Sequence, residues 1–205
     1  MRFLLAFLVT AAVPGDVYKH ALLDASRQHS VHYVSTSTIS GAKEVMVGDA
    51  LADRGIQRIT FTKGGATGHV VVVVANHAAY VRGDAFALRE YMGLSAAQAA
   101  KFTGKWFVLK PPAGAYRVVA EAVTFPSFVL ELAMPGPYTS VPHGVRSSVT
   151  RGGKTATVTL YVTPGSAPLP AKQVASGPTG TVTTVMGRWN EQVSVVAPPG
   201  AIPFS

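Results

Sequence analysis

Most of the chain alternates apolar and polar residues with a two-residue period, the pattern of half-buried strands, and two stretches show the helical period instead. In the first stretch, apolar residues recur at helical spacing from Val17 to Ala25, which predicts a helix that Asp16 caps and that ends near His29. The run from Val31 to Ile39 is rich in β-branched residues and predicts a strand. Gly41 to Val81 then predicts three or four further strands in succession, joined by tight turns.

The second helical stretch runs from Asp84 to about Met134. Asp84 is a good N-cap, and Ser95 followed three residues later by Gln98 has the form of a capping box. One short strand, Lys105 to Leu109, interrupts the helical pattern. We therefore expect several short helices inserted into a chain that is otherwise made of strands.

Strand character returns from Arg146 to Val196, most clearly in Thr155 to Val162, Val182 to Met186 and Gln192 to Val196. A strand block, a helical insert and a second strand block together predict an α+β fold. The expected architecture is a curved antiparallel β half-barrel with helices covering the concave face. Such an arrangement can hold an apolar ligand between the sheet and the helices.

Composition limits the class of protein. The chain has 205 residues, of which 48% are apolar and 14% charged, so it can bury a sizeable core. The formal charge of +8 comes from scattered Lys and Arg residues, and no run of them predicts nucleic-acid binding. Such a basic surface either keeps the protein soluble or attracts it to an anionic membrane surface. The absence of cysteine excludes disulfides, thiolate catalysis and lipid attachment through a cysteine of this chain.

Residues 1–13 have one positive charge, an apolar core and small residues near Ala11, which is typical of the end of a secretory signal. We interpret them as a signal-peptide remnant and residues 14–205 as a single domain. The segment is short even for a signal peptide, so a natural start further upstream stays an alternative, as does a buried first strand or helical turn. No other segment is long and apolar enough to cross a membrane.

Catalytic motifs are not recognisable in the sequence. The six histidines form neither an HExxH pattern nor a tight cluster, and there is no GxSxG motif. Asp49, Asp53 and Asp84 occur beside glycines or at a helix start, where turns and caps explain them. We therefore predict no enzymatic activity, no metal and no cofactor, with a hydrolase of unrecognised type as a remaining alternative.

Apolar residues of the helical insert and of its short strand are the candidates for ligand contact. They either line a cavity or fill a solid core, and the pattern alone does not decide between the two. The candidate cavity-lining residues are Leu88, Tyr91, Met92, Trp106, Val108, Val118, Val119, Ala122, Phe125 and Phe128.

Short phrases along the chain carry a family resemblance. They include Val47-Gly48-Asp49, Gly55-Ile56-Gln57-Arg58-Ile59, Ala79-Tyr80-Val81-Arg82-Gly83, Gly104-Lys105-Trp106-Phe107, Leu160-Tyr161-Val162 and Arg188-Trp189-Asn190. In these short sequence segments, and in the order of its strands and helices, the chain resembles the LolA-like lipoprotein-carrier superfamily, and more closely the actinobacterial LppX/LprG-type lipoproteins. The resemblance extends over roughly Asp16 to Phe204, and none of its phrases is a catalytic motif.

The resemblance implies a half-barrel whose helices close the open side and whose interior holds acyl chains. It further implies a non-enzymatic lipid or acyl-chain carrier that is secreted or resides in the cell envelope, and we expect a monomer. The lipobox cysteine of the family is missing, which puts membrane anchoring in doubt. The alternative from another class is an extracytoplasmic protein-binding or sensor module with a filled core.

Overall fold

A computed structural model describes residues 13–151 and 153–204. The described residues form five helices and twelve strands. The helices are α1 (Pro14–Ser26), α2 (Ala85–Glu90), α3 (Ala96–Phe102), α4 (Gly114–Val123) and α5 (Phe125–Glu131). The strands are β1 (Ser30–Ile39), β2 (Ala42–Leu51), β3 (Gly55–Lys63), β4 (Ala66–Ala75), β5 (Ala78–Gly83), β6 (Phe107–Leu109), β7 (Tyr138–Val141), β8 (Gly144–Arg151), β9 (Lys154–Val162), β10 (Pro170–Gly177), β11 (Gly180–Gly187) and β12 (Ile202–Pro203).

All twelve strands belong to one sheet in the order β12-β6-β5-β4-β3-β2-β1-β11-β10-β9-β8-β7. Neighbouring strands run antiparallel, except that β12 lies parallel to β6. Two meanders, β1 to β6 and β7 to β11, join where β1 pairs with β11. The sheet is curved and unclosed, with the five helices beside it, and the predicted α+β half-barrel is confirmed.

Helix ends follow the local chemistry of the sequence. The Asp84 side chain accepts a hydrogen bond from the backbone N–H of Ala87 at 2.9 Å, and Ser95 and Gln98 form a complete capping box. The expected cap at Asp16 is wrong, because α1 starts at Pro14, three residues before Val17, and its N-cap is Val13. Proline is tolerated there because the first N–H groups of a helix have no partner within the helix.

The helical side of the sheet carries two packed clusters. The first, which we call the cavity half, joins β3 to β6 with α2, α3 and α4, and its buried residues include Val70, Val72, Val81, Leu88, Phe102 and Phe107. The second, which we call the solid half, joins β1, β8, β9 and β11 with α1 and α5, and its buried residues include Tyr18, Tyr33, Phe128, Leu132, Val145 and Leu160. Met46 on β2 touches both clusters.

The opposite face of the sheet is covered by the chain near its C-terminus. Val193, Val195 and Ala197 pack against Val73 and Tyr80. The predicted strand from Gln192 to Val196 is therefore wrong, since this segment joins no ladder of the sheet. Its two-residue alternation is real, but it reflects apolar side chains that point down onto a sheet face.

Candidate ligand-binding cavity

A cavity of about 530 Å³ lies in the cavity half, between the sheet and α4. This volume is within the range of roughly 300 to 1,000 Å³ found for pockets that bind small ligands. The lining residues are Gln57, Ile59, Val72, Tyr91, Met92, Gly93, Leu94, Gln98, Phe107, Leu109, Ala115, Val118, Val119, Ala122, Val123 and Phe204. The cavity therefore has walls from β3, β4 and β6, from α4, from the α2–α3 connection and from the C-terminal residues.

Small side chains explain why this space is not filled. The wall from α4 consists of alanines and valines, and Val72 faces it from the sheet. Within α4, Val123 is buried, whereas Val118 is 65% exposed. A helix with small residues facing a sheet cannot reach deep enough to close the gap, so the interior stays open.

Gly55 sets how closely the end of α4 approaches the sheet. A Cβ atom at Gly55 would overlap the carbonyl oxygen of Val123 and would lie 2.9 Å from a methyl group of the Val123 side chain. The absence of a side chain at this position lets the last turn of α4 rest directly on β3.

Gln57 is the buried polar group of the cavity wall, with 5% of its surface exposed. Its Nε2 donates to the carbonyl oxygen of Ala122 on α4 at 2.7 Å and to the hydroxyl oxygen of Tyr33 at 2.6 Å. One carboxamide therefore ties the sheet to α4 and to the aromatic ring that separates the two halves. Burial raises the pKa of Tyr33 to about 12, although the hydrogen bond from Gln57 acts in the opposite direction.

Gly48 makes room for that ring. Tyr33 lies opposite Gly48 in the β1–β2 register, and Gly48 in turn lies opposite Gln57. A Cβ atom on Gly48 would overlap the Tyr33 ring. The ring can therefore lie flat across β2, where its hydroxyl reaches Gln57 on the next strand.

A second polar pair lies beside the cavity. Tyr91 lines the cavity and its hydroxyl is hydrogen-bonded to Glu44 of β2. Burial raises the pKa of both groups above their ordinary values, and the Glu44 charge adds to the increase in the pKa of Tyr91. The tyrosine hydroxyl thus has a partner outside the cavity.

The structure brings together five of the predicted cavity-lining residues: Tyr91, Met92, Val118, Val119 and Ala122. The other five lie elsewhere. Leu88 is fully buried under α2, and Phe125 and Phe128 belong to the packed solid half. Trp106 packs on the opposite face of the sheet with Arg82 over its ring, and Val108 has the same orientation by strand alternation. A role in ligand contact stays a prediction for the first five.

Several wall residues were not among the sequence candidates. Phe107 and Leu109 line the cavity, whereas the alternating residues Trp106 and Val108 point to the other face of the sheet. The sequence therefore identified the right strand but assigned the wrong face of it to the cavity. Phe204 packs its ring 5.3 Å from that of Phe107, centroid to centroid, which no local pattern indicates. The position of Gln57 at the centre of an apolar strand pattern was the available signal for a polar wall residue.

None of the described residues that line the cavity is Ser, His, Asp, Glu, Lys or Arg. A histidine–carboxylate pair does occur elsewhere, with Nδ1 of His32 2.7 Å from an oxygen of Asp49. No hydroxyl of the described residues is hydrogen-bonded to His32. Within residues 13–151 and 153–204, no group of three or more His, Asp or Glu side chains could hold a metal ion.

The described helices are too short or too polar to cross a membrane.

On the outer side of α4 a groove between α4 and α5 is lined by Val118, Glu121, Ala122, Ser127, Leu130 and Glu131. Val118 and Leu130 expose 65% and 73% of their surface there. Val118 and Ala122 line both this groove and the cavity, so α4 is a thin wall between the two.

The fold and the cavity define a half-barrel protein with an apolar interior space beneath its helices. Two solved structures are similar to it: LprF from Mycobacterium bovis and the lipoprotein LppX from Mycobacterium tuberculosis. LprF matches with a TM-score of 0.54 and 13% identity over 90% of this chain and 96% of LprF. LppX matches with a TM-score of 0.51 and 12% identity over 88% of this chain and 97% of LppX. At these identities the likeness shows the fold, and it confirms the fold expected from the sequence resemblance. No protein-family model and no curated protein sequence matches the chain.

Proposed function

We propose that this protein is a non-enzymatic lipid- or acyl-chain-binding carrier of the cell envelope, which holds its ligand between the sheet and the helices. The observation that carries the proposal is the apolar cavity of about 530 Å³ under α4. Its walls offer a hydrocarbon chain extensive apolar contact and no charged partner. The likeness of fold to LprF and LppX, the second of which is described as a lipoprotein, supports the same function.

The energetics of such binding come from burial rather than from directed bonds. Each methylene group removed from water contributes roughly 0.8 kcal/mol, so ten of them contribute about 8 kcal/mol before the cost of association. Release requires α4 to move or a partner to compete, because this helix forms one wall of the cavity. One of the contacts that hold this wall to the sheet is the Gln57–Ala122 hydrogen bond.

Localisation and surface binding are parts of the proposal. Residues 1–13 would be a signal-peptide remnant, and residues 14–205 would act as one monomeric domain in the envelope or outside the cell. The charge of +8 favours contact with an anionic membrane surface, where a carrier would load or deliver its ligand. Binding to vesicles that contain anionic lipid should then weaken as salt is added.

The decisive experiment is native mass spectrometry of the protein purified from a bacterial host, followed by organic extraction and lipid analysis. We expect a stoichiometric bound lipid, lost in Val119→Trp, where the indole occupies the cavity. The matched control is Val196→Trp, because Val196 is 73% exposed and lies outside the cavity lining. A mass without ligand that persists after incubation with phospholipid vesicles would overturn the proposal.

The exposed groove between α4 and α5 favours a second candidate function, an extracytoplasmic protein-binding or sensor module. Val118 and Leu130 form an apolar surface there, with Glu121 and Glu131 beside them. In that case Leu130→Glu would abolish partner binding, whereas Val119→Trp, on the cavity side of α4, would leave it unchanged. The carrier function predicts the reverse dependence on these two variants.

A further inference from the structure

The carboxamide oxygen of Gln57 is a hydrogen-bond acceptor with no partner among the described residues. Both hydrogen bonds of this side chain are donated by Nε2, to the hydroxyl oxygen of Tyr33 and to the carbonyl oxygen of Ala122. Gln57 as a whole is 95% buried, since 5% of its surface is exposed. Its Oε1 is nevertheless not sealed off, because the described part of the chain has one buried side-chain polar atom without a partner, and that atom is Nε1 of Trp189.

The space that Oε1 can reach is the cavity, because Gln57 is a wall residue of it. The two donated bonds fix the plane of the carboxamide, so the oxygen keeps one orientation in the cavity wall instead of turning freely. An acceptor held in this way favours a ligand that brings its own donor. A ligand without a donor leaves the acceptor dehydrated and unpaired, which weakens its binding.

The charge of the ligand is restricted by the rest of the wall. The other polar side chains of the lining are Tyr91, whose hydroxyl is hydrogen-bonded to Glu44, and Gln98, whose oxygen accepts from the backbone N–H of Ser95. None of the described lining residues is a cation or an anion. A charged headgroup drawn into this space would lose its hydration without a compensating partner.

The volume fits a single chain. At about 30 Å³ for each water-sized group, a cavity of about 530 Å³ accommodates roughly 18 such groups. That is enough for one aliphatic chain with a small polar group.

Resting on the proposed function, we infer that the ligand is a single aliphatic chain that carries an uncharged hydrogen-bond donor, such as a hydroxyl, and that Oε1 of Gln57 accepts its hydrogen bond. Gln57 is thus the specificity-determining residue of the cavity. Apolar burial supplies the affinity, and the carboxamide selects alcohols over ethers, hydrocarbons and ionised acids.

The test is displacement of the neutral probe N-phenyl-1-naphthylamine from the delipidated full chain by 1-dodecanol, dodecyl methyl ether and, above its pKa, dodecanoate. We expect 1-dodecanol to bind about five- to tenfold more tightly than the ether, the contribution of one buried hydrogen bond. Dodecanoate should bind more weakly than both. In Gln57→Met the alcohol and the ether should bind equally.

The control variant is Gln173→Met, which makes the same substitution on β10, outside the cavity lining, so the preference for the alcohol should survive. Equal affinities of the unmodified protein for alcohol and ether would overturn the inference while leaving the carrier function intact. So would a preference that persists in Gln57→Met, or dodecanoate binding as tightly as the alcohol. If neither the alcohol nor the ether displaces the probe, the proposed carrier function itself fails.

Discussion

The cavity half and the solid half lie on the same face of one sheet, yet the first holds an apolar cavity of about 530 Å³ under α4, whereas the second is packed under α1 and α5. The solid half is filled by large side chains: the rings of Tyr33 and Phe128 pack against each other in a tilted arrangement with their centroids 4.7 Å apart, as do those of Tyr18 and Tyr138. The cavity half places valines on the sheet beneath the alanines and valines of α4. The difference teaches that side-chain volume, rather than sheet curvature alone, decides where a half-barrel of this kind stays open.

Polar contacts follow the same division. In the solid half the Tyr18 hydroxyl accepts from the backbone N–H of Met134 at 2.6 Å, and the Tyr138 hydroxyl donates to the Met134 carbonyl at 2.8 Å. These bonds fix α1 and the chain after α5 to each other. In the cavity half the carboxamide of Gln57 makes the comparable link, from β3 to the carbonyl oxygen of Ala122 on α4.

The largest expected effect comes from emptying the solid half. Phe128→Ala removes a ring that is 9% exposed and should lower the free energy of unfolding by about 3 to 5 kcal/mol. Lipid occupancy of the variant that remains folded should be unchanged, because Phe128 does not line the cavity. Urea unfolding and native mass spectrometry measure the two quantities. A loss below about 1 kcal/mol would mean that this half is not tightly packed.

Alkaline pH should weaken the boundary between the halves. The pKa of Tyr33 is raised to about 12, so above the ordinary tyrosine pKa of about 10 the unfolded chain loses this proton first and stability falls as pH rises. Between about pH 9 and pH 11.5 the Tyr33 contribution should decline by about 2 kcal/mol. The measurement is the urea stability of the unmodified protein minus that of Tyr33→Phe at each pH. If this difference in unfolding free energy does not vary with pH, the conclusion that the Tyr33 hydroxyl is buried is contradicted.

Gly48→Ala should destabilise the protein at the same boundary between the cavity half and the solid half. The added Cβ overlaps the Tyr33 ring, so the ring or the strand has to shift, at a cost of about 1 to 3 kcal/mol. In a Tyr33→Val background the same substitution should cost less than about 0.5 kcal/mol, because the overlap is gone. A double-mutant cycle of unfolding free energies tests this coupling, and equal costs in the two backgrounds would contradict it.

The smallest expected effect comes from one valine-to-leucine substitution in each half, and the two should change the stability in opposite directions. In the protein without ligand, Val119→Leu puts a methylene into the cavity and should stabilise the fold by about 0.8 kcal/mol. Val145→Leu, at a fully buried position of the solid half, should destabilise it by about 1 to 3 kcal/mol. Thermal unfolding of the two variants side by side gives both signs. The same sign for both would show that the two halves are packed alike.

Much of the fold was predictable because strand and helix periods are local properties. Gly41 to Val81 does form successive strands, and the caps at Asp84 and Ser95 have the expected hydrogen bonds. The segment from Gln192 to Val196 was misjudged, because an apolar alternation does not say whether its partner is a neighbouring strand or a sheet face.

The candidate site was predictable in part. Apolar spacing on α4 identified Val118, Val119 and Ala122, since a helix exposes a stripe to whatever it covers. The face of the short strand was assigned incorrectly, because its three residues are too few to set the register. Gln57 was not predicted as a wall residue, because the sequence does not show which atoms surround a buried amide and so which hydrogen bonds it makes.

The amino-acid sequence by itself determined the succession of a strand block, a helical insert and a second strand block, the absence of thiol chemistry and the supply of small apolar residues for α4. Those are consequences of residue type and spacing, which act between near neighbours. The tertiary structure decided that α4 lies over Gly55, that Tyr33 crosses Gly48 to reach Gln57, and that the space left beneath them is empty of protein. Each of these depends on volumes contributed by residues distant in sequence, and a void exists only once all of its walls are in place.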